Sequence, residues 1–241
     1  MNRPAPLSSL AFYTTPPHEC SYLPNRRAIT LFADPRLQKD ARIYGLLSSY
    51  GFRRSGEHLY RPRCQACQAC VPVRVPVHDV EFRRNQRRTW DRNQDLRITA
   101  VSSTFNEEHF ELYKRYVTAR HAGGGMDNPT PQNYMDFITA TWADTVFYEI
   151  RERQTLLAVA VADHMKEAMS AVYTFFDPDQ PQRSLGRFGV LYEIHEARRL
   201  GLKWLYLGYW INQCKKMQYK NEYQPLEYYH NGAWTRIEPS P

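Results

Sequence analysis

The sequence predicts an α/β fold of the α+β type, and its C-terminal part carries the clearest evidence. Three strand-like apolar runs, at 145–151, 156–163 and 168–176, are joined by short polar links, which predicts an antiparallel meander. A glycine-containing turn then leads into a helical pattern at 188–200 that ends at Gly201. One more strand is expected after this helix, over residues 204 to 210.

This order of meander, glycine-rich turn, helix and strand is the order of elements in the GNAT acyltransferase fold. We therefore expect a GNAT-like acyltransferase domain at residues 98–241. Residues 1–97 are expected to form a separate region, which is basic and contains most of the cysteines. The similarity concerns architecture, and architecture alone does not assign a function.

The sequence predicts one helix and one extended segment in the N-terminal region. The helix is predicted over 36–50, with Asp34 as its cap, Pro35 in its first turn and Gly51 at its end. Four valines alternate with other residues over 71–77, which is the period of a strand. Because two of the intervening residues are prolines, we expect this segment at a sheet edge or outside a sheet.

Between these regions lies the most basic stretch of the chain. Residues 82–97 hold six arginines against two aspartates, and they are predicted either as a helix along an anionic partner or as a solvated connector. A short strand at 98–101 follows.

Two helices are predicted before the meander. The first covers 107–120, where Thr104 and Glu107 have the spacing of a capping box, and a run of three glycines ends it. The second begins at Pro131, with Thr130 as its cap, and runs to about residue 141.

The positive charge is concentrated in the N-terminal part. The chain has 32 basic and 25 acidic residues, whereas residues 1–100 alone hold 17 basic and 8 acidic ones. Arginine outnumbers lysine 25 to 7, which favours bidentate recognition of carboxylate or phosphate groups. We therefore expect an anionic partner for this part; the alternative is a basic solvated surface.

Membrane and export functions are not expected. The longest apolar run has seven residues, whereas a membrane-spanning helix needs ~20. The first twenty residues lack the continuous apolar stretch of a secretory signal. Five cysteines, an odd number, favour reduced thiols or metal ligands over a disulfide framework, so we expect a cytoplasmic location.

Three cysteines recur at a spacing of three. Cys64, Cys67 and Cys70 could bring thiolates to one metal centre, either an iron–sulfur cluster or zinc. The fourth ligand must come from elsewhere, with Cys20 as first choice and Cys214 or a histidine as alternatives. The remaining interpretation is a set of thiols without a metal.

Two C-terminal segments are candidate anion sites. In the turn at 183–189, backbone N–H groups at a helix N-terminus, two glycines and flanking arginines could bind a phosphate; the alternative is an ordinary turn. Over 214–234, lysines alternate with tyrosines and a tryptophan, which is typical of surfaces that bind a nucleic-acid end. The alternative here is a partly buried aromatic edge.

Several segments together resemble the arginyl-tRNA–protein transferase family. The matching segments occur in order and cover the chain from Cys20 to about Trp234. They are CSYLP from Cys20, LFADP from Leu31, GFRRSG from Gly51, YRP from Tyr60 with the three cysteines, VPVRVPV from Val71, SLG from Ser184, YLGYWI from Tyr206, CKKMQYK from Cys214, and Pro225.

The resemblance implies transfer of an aminoacyl group from a charged tRNA to the N-terminal α-amine of a protein. The size and the Cys-x-x-Cys-x-x-Cys form resemble bacterial members, which move leucine from leucyl-tRNA to proteins beginning with Asp or Glu and so mark them for N-degron degradation. Eukaryotic relatives use arginyl-tRNA, and their cysteine-rich region has been linked to iron–sulfur binding; this chain lacks their adjacent cysteines. Arginine transfer is the alternative within the class. An acyl-coenzyme A-dependent N-acetyltransferase and a metal-stabilised RNA-binding module are alternatives from other classes.

Site residues follow from combining the resemblance with the motifs. The residues expected to bind aminoacyl-tRNA are Tyr173, Arg183, Gly186, Gly189, Lys216, Tyr219 and Lys220. Those expected to bind the acidic N-terminal residue are Arg61 and Arg74, and those expected to hold a metal are Cys20, Cys64, Cys67 and Cys70. The ester that joins the amino acid to the tRNA is already activated. Alignment of this ester with the α-amine therefore supplies much of the rate, and the chemistry itself requires no cofactor. Tyr173, Asp177 and Glu193 are near the donor turn, but no catalytic residue is assigned.

Overall fold

The computed structural model describes residues 10–121 and 128–238. A small antiparallel sheet, a separate pair of strands and one helix form its N-terminal part. The elements are β1 Phe12–Thr14, β2 His18–Glu19, β3 Arg27–Ala28, β4 Thr30–Ala33, α1 Ala41–Ser49, β5 Arg53–Ser55 and β6 His58–Pro62. The small sheet has the strand order β1-β4-β6-β5, and β2 pairs with β3.

The remaining elements build a large mixed sheet with helices on both faces. They are β7 Val71–Pro76, α2 Arg84–Arg92, β8 Arg97–Ser102, α3 Glu107–His121, α4 Pro131–Ile138, β9 Asp144–Glu152, β10 Thr155–His164, β11 Ala168–Phe176, α5 Leu185–Arg199, β12 Trp204–Trp210, α6 Lys215–Gln218, β13 Glu227–His230 and β14 Ala233–Thr235. Short 3-10 turns at Pro181–Arg183 and Tyr219–Glu222 precede α5 and follow α6.

The eight strands of the large sheet have the order β14-β13-β7-β12-β11-β10-β9-β8. Strands β8 to β11 are antiparallel neighbours, so the predicted meander is confirmed. Helix α5 then returns the chain, and β12 pairs with β11 in parallel. The predicted α+β class and the order of meander, helix and strand are therefore confirmed.

Strands β11 and β12 separate after a short contact. They pair only over residues 168–170 and 204–206, although β11 continues to Phe176 and β12 to Trp210. A bulge between Tyr206 and Gly208 shifts the register of β12 against β7 at the same level. The space between residues 171–176 and 207–210, here called the strand gap, is where the candidate site is built.

Strand β7 lies inside the large sheet, so the expectation of an edge position was wrong. It pairs with β12 on one side and with β13 on the other, and all six of its residues are buried. Its prolines are tolerated because β13 pairs only with Val73 and Arg74, which leaves Pro72 and Pro76 outside that ladder. A segment before residue 97 thus contributes a strand to the C-terminal sheet; the domain division at 97 stays a prediction.

Helix α1 is shorter than predicted because a different aspartate caps it. The helix begins at Ala41, where the Asp40 carboxylate accepts a hydrogen bond from the Ile43 N–H at 2.7 Å. Asp34 instead accepts hydrogen bonds from the backbone N–H and the guanidinium of Arg36. This local pair holds the preceding residues in a turn outside the helix.

The caps of α3 and α4 differ in how well the sequence predicted them. Asn106 caps α3, because its side-chain oxygen accepts from the N–H groups of Glu108 and His109; the predicted Thr104 does not. Thr130 caps α4 as predicted. The glycines expected to end the first of these helices lie outside the described residues.

Helices cover both faces of the large sheet. Ala160 packs with α5 in one apolar cluster, and Val161 packs with α3 and α4 in another. Because neighbouring residues of a strand point to opposite faces, these clusters lie on the two sides of the sheet. No helix in the described ranges has the length and apolar character needed to cross a membrane.

A buried ion pair joins the small sheet to the large one. Arg54 on β5 donates from Nη2 to Asp163 on β10 at 2.7 Å, and the two side chains are essentially inaccessible to solvent. Asp163 also accepts from the Tyr44 hydroxyl at 2.8 Å and from Thr145 at 2.7 Å. Removing one member of such a pair leaves an uncompensated buried charge, so the pair fixes how the two sheets dock.

Candidate functional site

The guanidinium of Arg53 lies where the strand gap begins. Its Nη1 donates to Ser170 Oγ at 2.7 Å and to the Tyr206 carbonyl at 3.3 Å, and its Nη2 donates to the Ala171 carbonyl. Gly208 allows this approach, because a Cβ there would lie 3.1 Å from Arg53 Nε. Arg53 therefore supplies donors to carbonyl groups at the point where the two strands part.

Glu193 on α5 is a buried carboxyl group near the strand gap. It is fully buried, and neither of its oxygens has a hydrogen-bond partner within the described ranges. Burial raises the pKa of Glu193 to about 8, an effect that the positive charge of Arg53 only partly offsets. A carboxyl group that titrates this close to neutrality is suited to proton transfer.

Lys220 is a second group whose titration is shifted towards neutrality. It is buried, and its Nζ donates to the Tyr209 carbonyl at 2.7 Å. Burial lowers the pKa of Lys220 to about 7; Arg53 acts in the same direction, and the thiols of Cys214 and Cys70 oppose it. Near pH 7 the amine is therefore only partly charged, in contrast to an exposed lysine.

Two tyrosines that the sequence singled out lie around the strand gap. Tyr219 is 43% exposed and lies within electrostatic reach of Glu193 and Arg53, which places it at the mouth of the gap. Tyr173 lies on the diverging half of β11, with its ring centroid 5.2 Å from Phe137 and 6.1 Å from Tyr116. Tyr219 can therefore meet an incoming ligand, while Tyr173 is part of an aromatic wall. Lys216 is exposed on α6, close in sequence to the same mouth.

Two glycines in the first turns of α5 make close contacts with the sheet. Helix α5 begins at Leu185, three residues earlier than predicted, so Gly186 and Gly189 lie inside it. A Cβ at Gly186 would lie 2.8 Å from the Phe176 ring, and one at Gly189 would lie 3.1 Å from Thr174 Cγ2. Both glycines let α5 approach β11; a contact with tRNA phosphates stays a prediction.

Arg183 is engaged by carboxylates. Its Nη2 forms salt bridges with Asp95, at 2.8 Å, and with Glu152. These hydrogen bonds raise the pKa of Arg183 above its ordinary value, with Asp95 as the main cause. A tRNA phosphate would have to compete with both carboxylates, so a role of Arg183 in binding stays a prediction.

A cavity of about 260 Å³ lies beside the strand gap and combines cysteines with arginines. None of its lining residues is Asp or Glu, and none of its four arginines forms a salt bridge within the described ranges. Its positive charge is therefore uncompensated, which suits a carboxylate ligand. The residues that give it this character are Cys20, Cys64, Cys67, Cys70, Arg26, Arg27, Arg61 and Arg63.

The two arginines expected to bind the acidic N-terminal residue have different surroundings. Arg61 lines the cavity, and its Nη1 donates to the Tyr50 carbonyl at 2.7 Å, which holds the side chain in place. Arg74 is stacked between Trp204 and Trp234, at 4.2 and 4.3 Å from the ring centroids. Arg74 also forms a salt bridge with Glu227 at 2.7 Å, so its charge is already balanced.

The four cysteines have the chemistry of a metal site and line one cavity. Thiolates are ligands of iron–sulfur clusters and of zinc. Among the described residues, however, no three Cys, His, Asp or Glu side chains are placed to hold one ion. Cys20 Sγ instead accepts a hydrogen bond from the Leu23 N–H, and Cys64 Sγ donates to the Ile29 carbonyl. Metal binding stays a prediction, and no chemical step is derived from it.

The cavity and the strand gap are neighbours. Cys70 lines the cavity and acts electrostatically on Lys220 near the gap. Between them, the Tyr209 hydroxyl on β12 donates to the carbonyls of Gly51 and Tyr60, next to Arg61. A molecule held in the cavity would thus lie close to the groups around Arg53 and Glu193.

Several residues of the site were not assigned from the sequence. Arg26, Arg27 and Arg63 were counted only as general positive charge, and Arg53 only as part of the GFRRSG segment. One signal was available: adjacent residues of a strand point to opposite faces, so Arg53 and Arg54 had to have different partners.

The sequence matches known families over most of its length. A family model described as "Arginine-tRNA-protein transferase, N terminus" matches residues 18–88, and one described as "Arginine-tRNA-protein transferase, C terminus" matches residues 108–230. Relatives named aspartate/glutamate leucyltransferase are similar over nearly the full chain. The one from Stutzerimonas stutzeri (strain A1501) is 49% identical over 231 residues, which is 96% of this chain and 98% of the relative. The one from Alcanivorax borkumensis is 50% identical over 228 residues, which is 95% of this chain and 94% of the relative.

Two solved structures overlap with part of the fold. L-PGS from Bacillus licheniformis superposes with a TM-score of 0.47 at 10% identity, over 71% of this chain and 52% of that chain. FemX superposes with a TM-score of 0.46 at 8% identity, over 75% of this chain and 63% of that chain.

Proposed function

Since the chain belongs to the arginine-tRNA–protein transferase family, we propose that it moves leucine from leucyl-tRNA to the N-terminal α-amine of proteins that begin with Asp or Glu. The protein is an aminoacyltransferase, with an aminoacyl-tRNA as donor and a protein as acceptor. Leucine as the donor amino acid is supported by relatives named leucyltransferase at 48–50% identity. The observation that carries the acceptor assignment is the cavity with four uncompensated arginines.

The acidic side chain of the acceptor occupies that cavity. Arg61 is the best placed to bind its carboxylate, because one of its N–H groups is anchored to a carbonyl and the others remain for the ligand. Arg74 is a weaker candidate, since Glu227 already balances its charge. With the carboxylate held there, the α-amine of the same residue lies towards the strand gap.

The reaction in the gap is aminolysis of an ester. The α-amine attacks the ester carbonyl, a C–N bond forms, the bond to the terminal ribose oxygen breaks, and the amine proton ends on the released hydroxyl. Glu193 is the group proposed to carry this proton, because it is a carboxyl with no hydrogen-bond partner in the described ranges, it lies within electrostatic reach of Arg53 at the gap, and burial raises its pKa to about 8. Arg53 and Lys220 add positive charge where the tetrahedral oxyanion develops.

The donor side chain has an apolar surface to lie against. Tyr173 on the diverging half of β11, Tyr116 on α3 and Phe137 on α4 pack together as an aromatic wall. Leucine buries its side chain favourably against such a wall. The choice of leucine over arginine rests on the relatives named leucyltransferase.

An acyl-transfer assay tests the function. Purified protein is incubated with a pool of aminoacylated tRNAs and with peptides beginning with Asp, Glu, Arg or Ala. The mass added to each peptide is measured by mass spectrometry. Addition of leucine to the Asp and Glu peptides only is the expected result. Addition of arginine would change the donor within the family, and no addition to any peptide would overturn the proposal.

The cysteines need a separate measurement. We propose that any metal they hold is an iron–sulfur cluster or zinc and that it does not take part in the acyl transfer. Anaerobic purification followed by metal analysis and a visible spectrum distinguishes these two from a metal-free protein. Loss of transfer on chelation without loss of the folded state would contradict a purely structural metal.

A further inference from the structure

Helix α2 exposes a row of arginines to solvent. Arg83 precedes the helix, and Arg84, Arg87 and Arg88 lie within it; all four are exposed. Residues three and four apart share one helix face, so these side chains are neighbours there. The opposite side, which contains the buried Gln86 and Thr89, packs against α5.

These arginines lack the carboxylate partners that other arginines of the chain have. Nine other arginines, among them Arg54, Arg151 and Arg183, form salt bridges, whereas none of these four does so within the described ranges. Like charges one turn apart on a helix repel each other and destabilise it. An unbalanced row of this kind gains stability when a polyanion binds along it.

The position of α2 links this row to the mouth of the strand gap. Gln86 Nε2 donates to the Glu222 carbonyl at 3.1 Å, which ties α2 to the segment after α6. That segment is the turn Tyr219–Glu222, which begins with Tyr219 at the mouth, and α6 directly before it carries the exposed Lys215 and Lys216. Exposed cations therefore lie both on α2 and on α6, on either side of the contact between Gln86 and Glu222.

We propose that the exposed face of α2, formed by Arg83, Arg84, Arg87 and Arg88, binds the phosphate backbone of the donor tRNA and directs its acylated end to the strand gap. The proposal rests on the proposed function for the identity of the polyanion. It also explains why Arg183 and Lys220 need not be the main phosphate ligands: one is engaged by carboxylates and the other is buried. A nine-residue helix spans ~13 Å, enough to follow a few successive phosphates.

The test is equilibrium binding of uncharged leucine tRNA at several salt concentrations. The variant is Arg84→Ala/Arg88→Ala, which removes two charges from one face and places a better helix former at both positions. The matched control is Arg42→Ala/Lys166→Ala, which removes two exposed positive charges outside α2. The control and the α2 variant therefore have the same net charge. Thermal unfolding of all three proteins shows that binding differences do not come from loss of the fold.

Loss of two phosphate contacts should reduce the slope of log K against log salt by about two. Between 50 and 200 mM salt, wild-type affinity should therefore fall about tenfold more than that of the α2 variant, and the control should behave as wild type. An unchanged slope in the α2 variant, or an equal loss in the control, would overturn the proposal. A second result would also overturn it: the wild-type protein binds phosphatidylglycerol vesicles, the α2 variant does not, and the salt dependence of tRNA binding is the same for both.

This measurement is independent of acyl transfer. If the wild-type protein transfers no leucine but the α2 variant still shows the reduced slope, the proposed function fails and the tRNA surface stands. If transfer occurs but the slopes are equal, the surface fails and the function stands.

Discussion

Replacing Glu193 with glutamine should change the pH dependence of stability in a way that few other substitutions would. Glu193 is fully buried without a hydrogen-bond partner in the described ranges, and burial raises its pKa to about 8. The folded protein therefore binds this proton more tightly than the unfolded chain does. The stabilisation from the protonated carboxyl is fully present below the unfolded pKa, near 4.5, and is lost as the pH rises through 8.

The size of the effect follows from the two pKa values. Each unit of pKa shift corresponds to about 1.4 kcal/mol, so the wild type should lose on the order of 5 kcal/mol across this window through Glu193. Glutamine does not titrate. The stability of Glu193→Gln relative to the wild type should therefore increase by about 1.4 kcal/mol per pH unit from pH 5 to pH 8 and then level off.

Urea unfolding at pH 5, 6, 7, 8 and 9 measures this difference. The slope against pH is the informative quantity, because the buried amide of glutamine adds a cost that is the same at every pH. Glu196→Gln is the matched control on the same helix. The hydrogen bond from Arg199 lowers the pKa of Glu196, so its contribution is lost only as the pH falls towards acid, and its curve should be flat from pH 5 to pH 9.

Parallel curves of stability against pH for the wild type and Glu193→Gln would refute the reasoning. The Glu193 carboxyl would then have the same pKa in the folded and the unfolded protein. If the stability difference depends on pH as expected but Glu193→Gln transfers leucine at the wild-type rate, the raised pKa is confirmed and Glu193 does not carry the proton. With the proposed role, Glu193→Gln should lower the rate of transfer by about 10²–10⁴.

Three further predictions concern the acceptor cavity, the buried ion pair and the packing of α5. Arg61→Ala should reduce the preference for Asp over Ala peptides by about 10- to 100-fold, the size expected for a lost charged hydrogen bond; an unchanged ratio of kcat/KM values would exclude Arg61 from recognition. Arg54→Met should cost about 3–5 kcal/mol in urea unfolding because Asp163 is left charged and unpaired, and a loss below 1 kcal/mol would contradict this. Gly189→Ala should cost about 1–3 kcal/mol because its methyl would lie 3.1 Å from Thr174 Cγ2; a variant as stable as the wild type would show that the contact relaxes freely.

The local elements of this protein were largely predictable because their signals are local. The apolar runs of β10 and β11 and the Thr130 cap depend on residues a few positions apart, and the structure confirms them. Local reasoning was wrong where two local signals competed, as with Asp34 and Asp40 before α1, or Thr104 and Asn106 before α3. In each case the residue directly before the first helical turn caps the helix.

The candidate site could be predicted only in part. The sequence marked the cysteines and Arg61, and these meet in one cavity. It could not show that Arg74 would be stacked between Trp204 and Trp234 and balanced by Glu227. Those partners come from β12 and β13, which pair with β7 because it lies inside the sheet, and from β14, which pairs with β13.

The sequence by itself determined the family, the classes of donor and acceptor, and an excess of arginine in the N-terminal part. The tertiary structure decided which arginines are available for a ligand. Arg54 is paired with an aspartate 109 positions away, whereas Arg61 and Arg84 have no carboxylate partner in the described ranges. Charge compensation depends on distance in space and on burial, and for residues so far apart in the chain both are set by how the sheets pack.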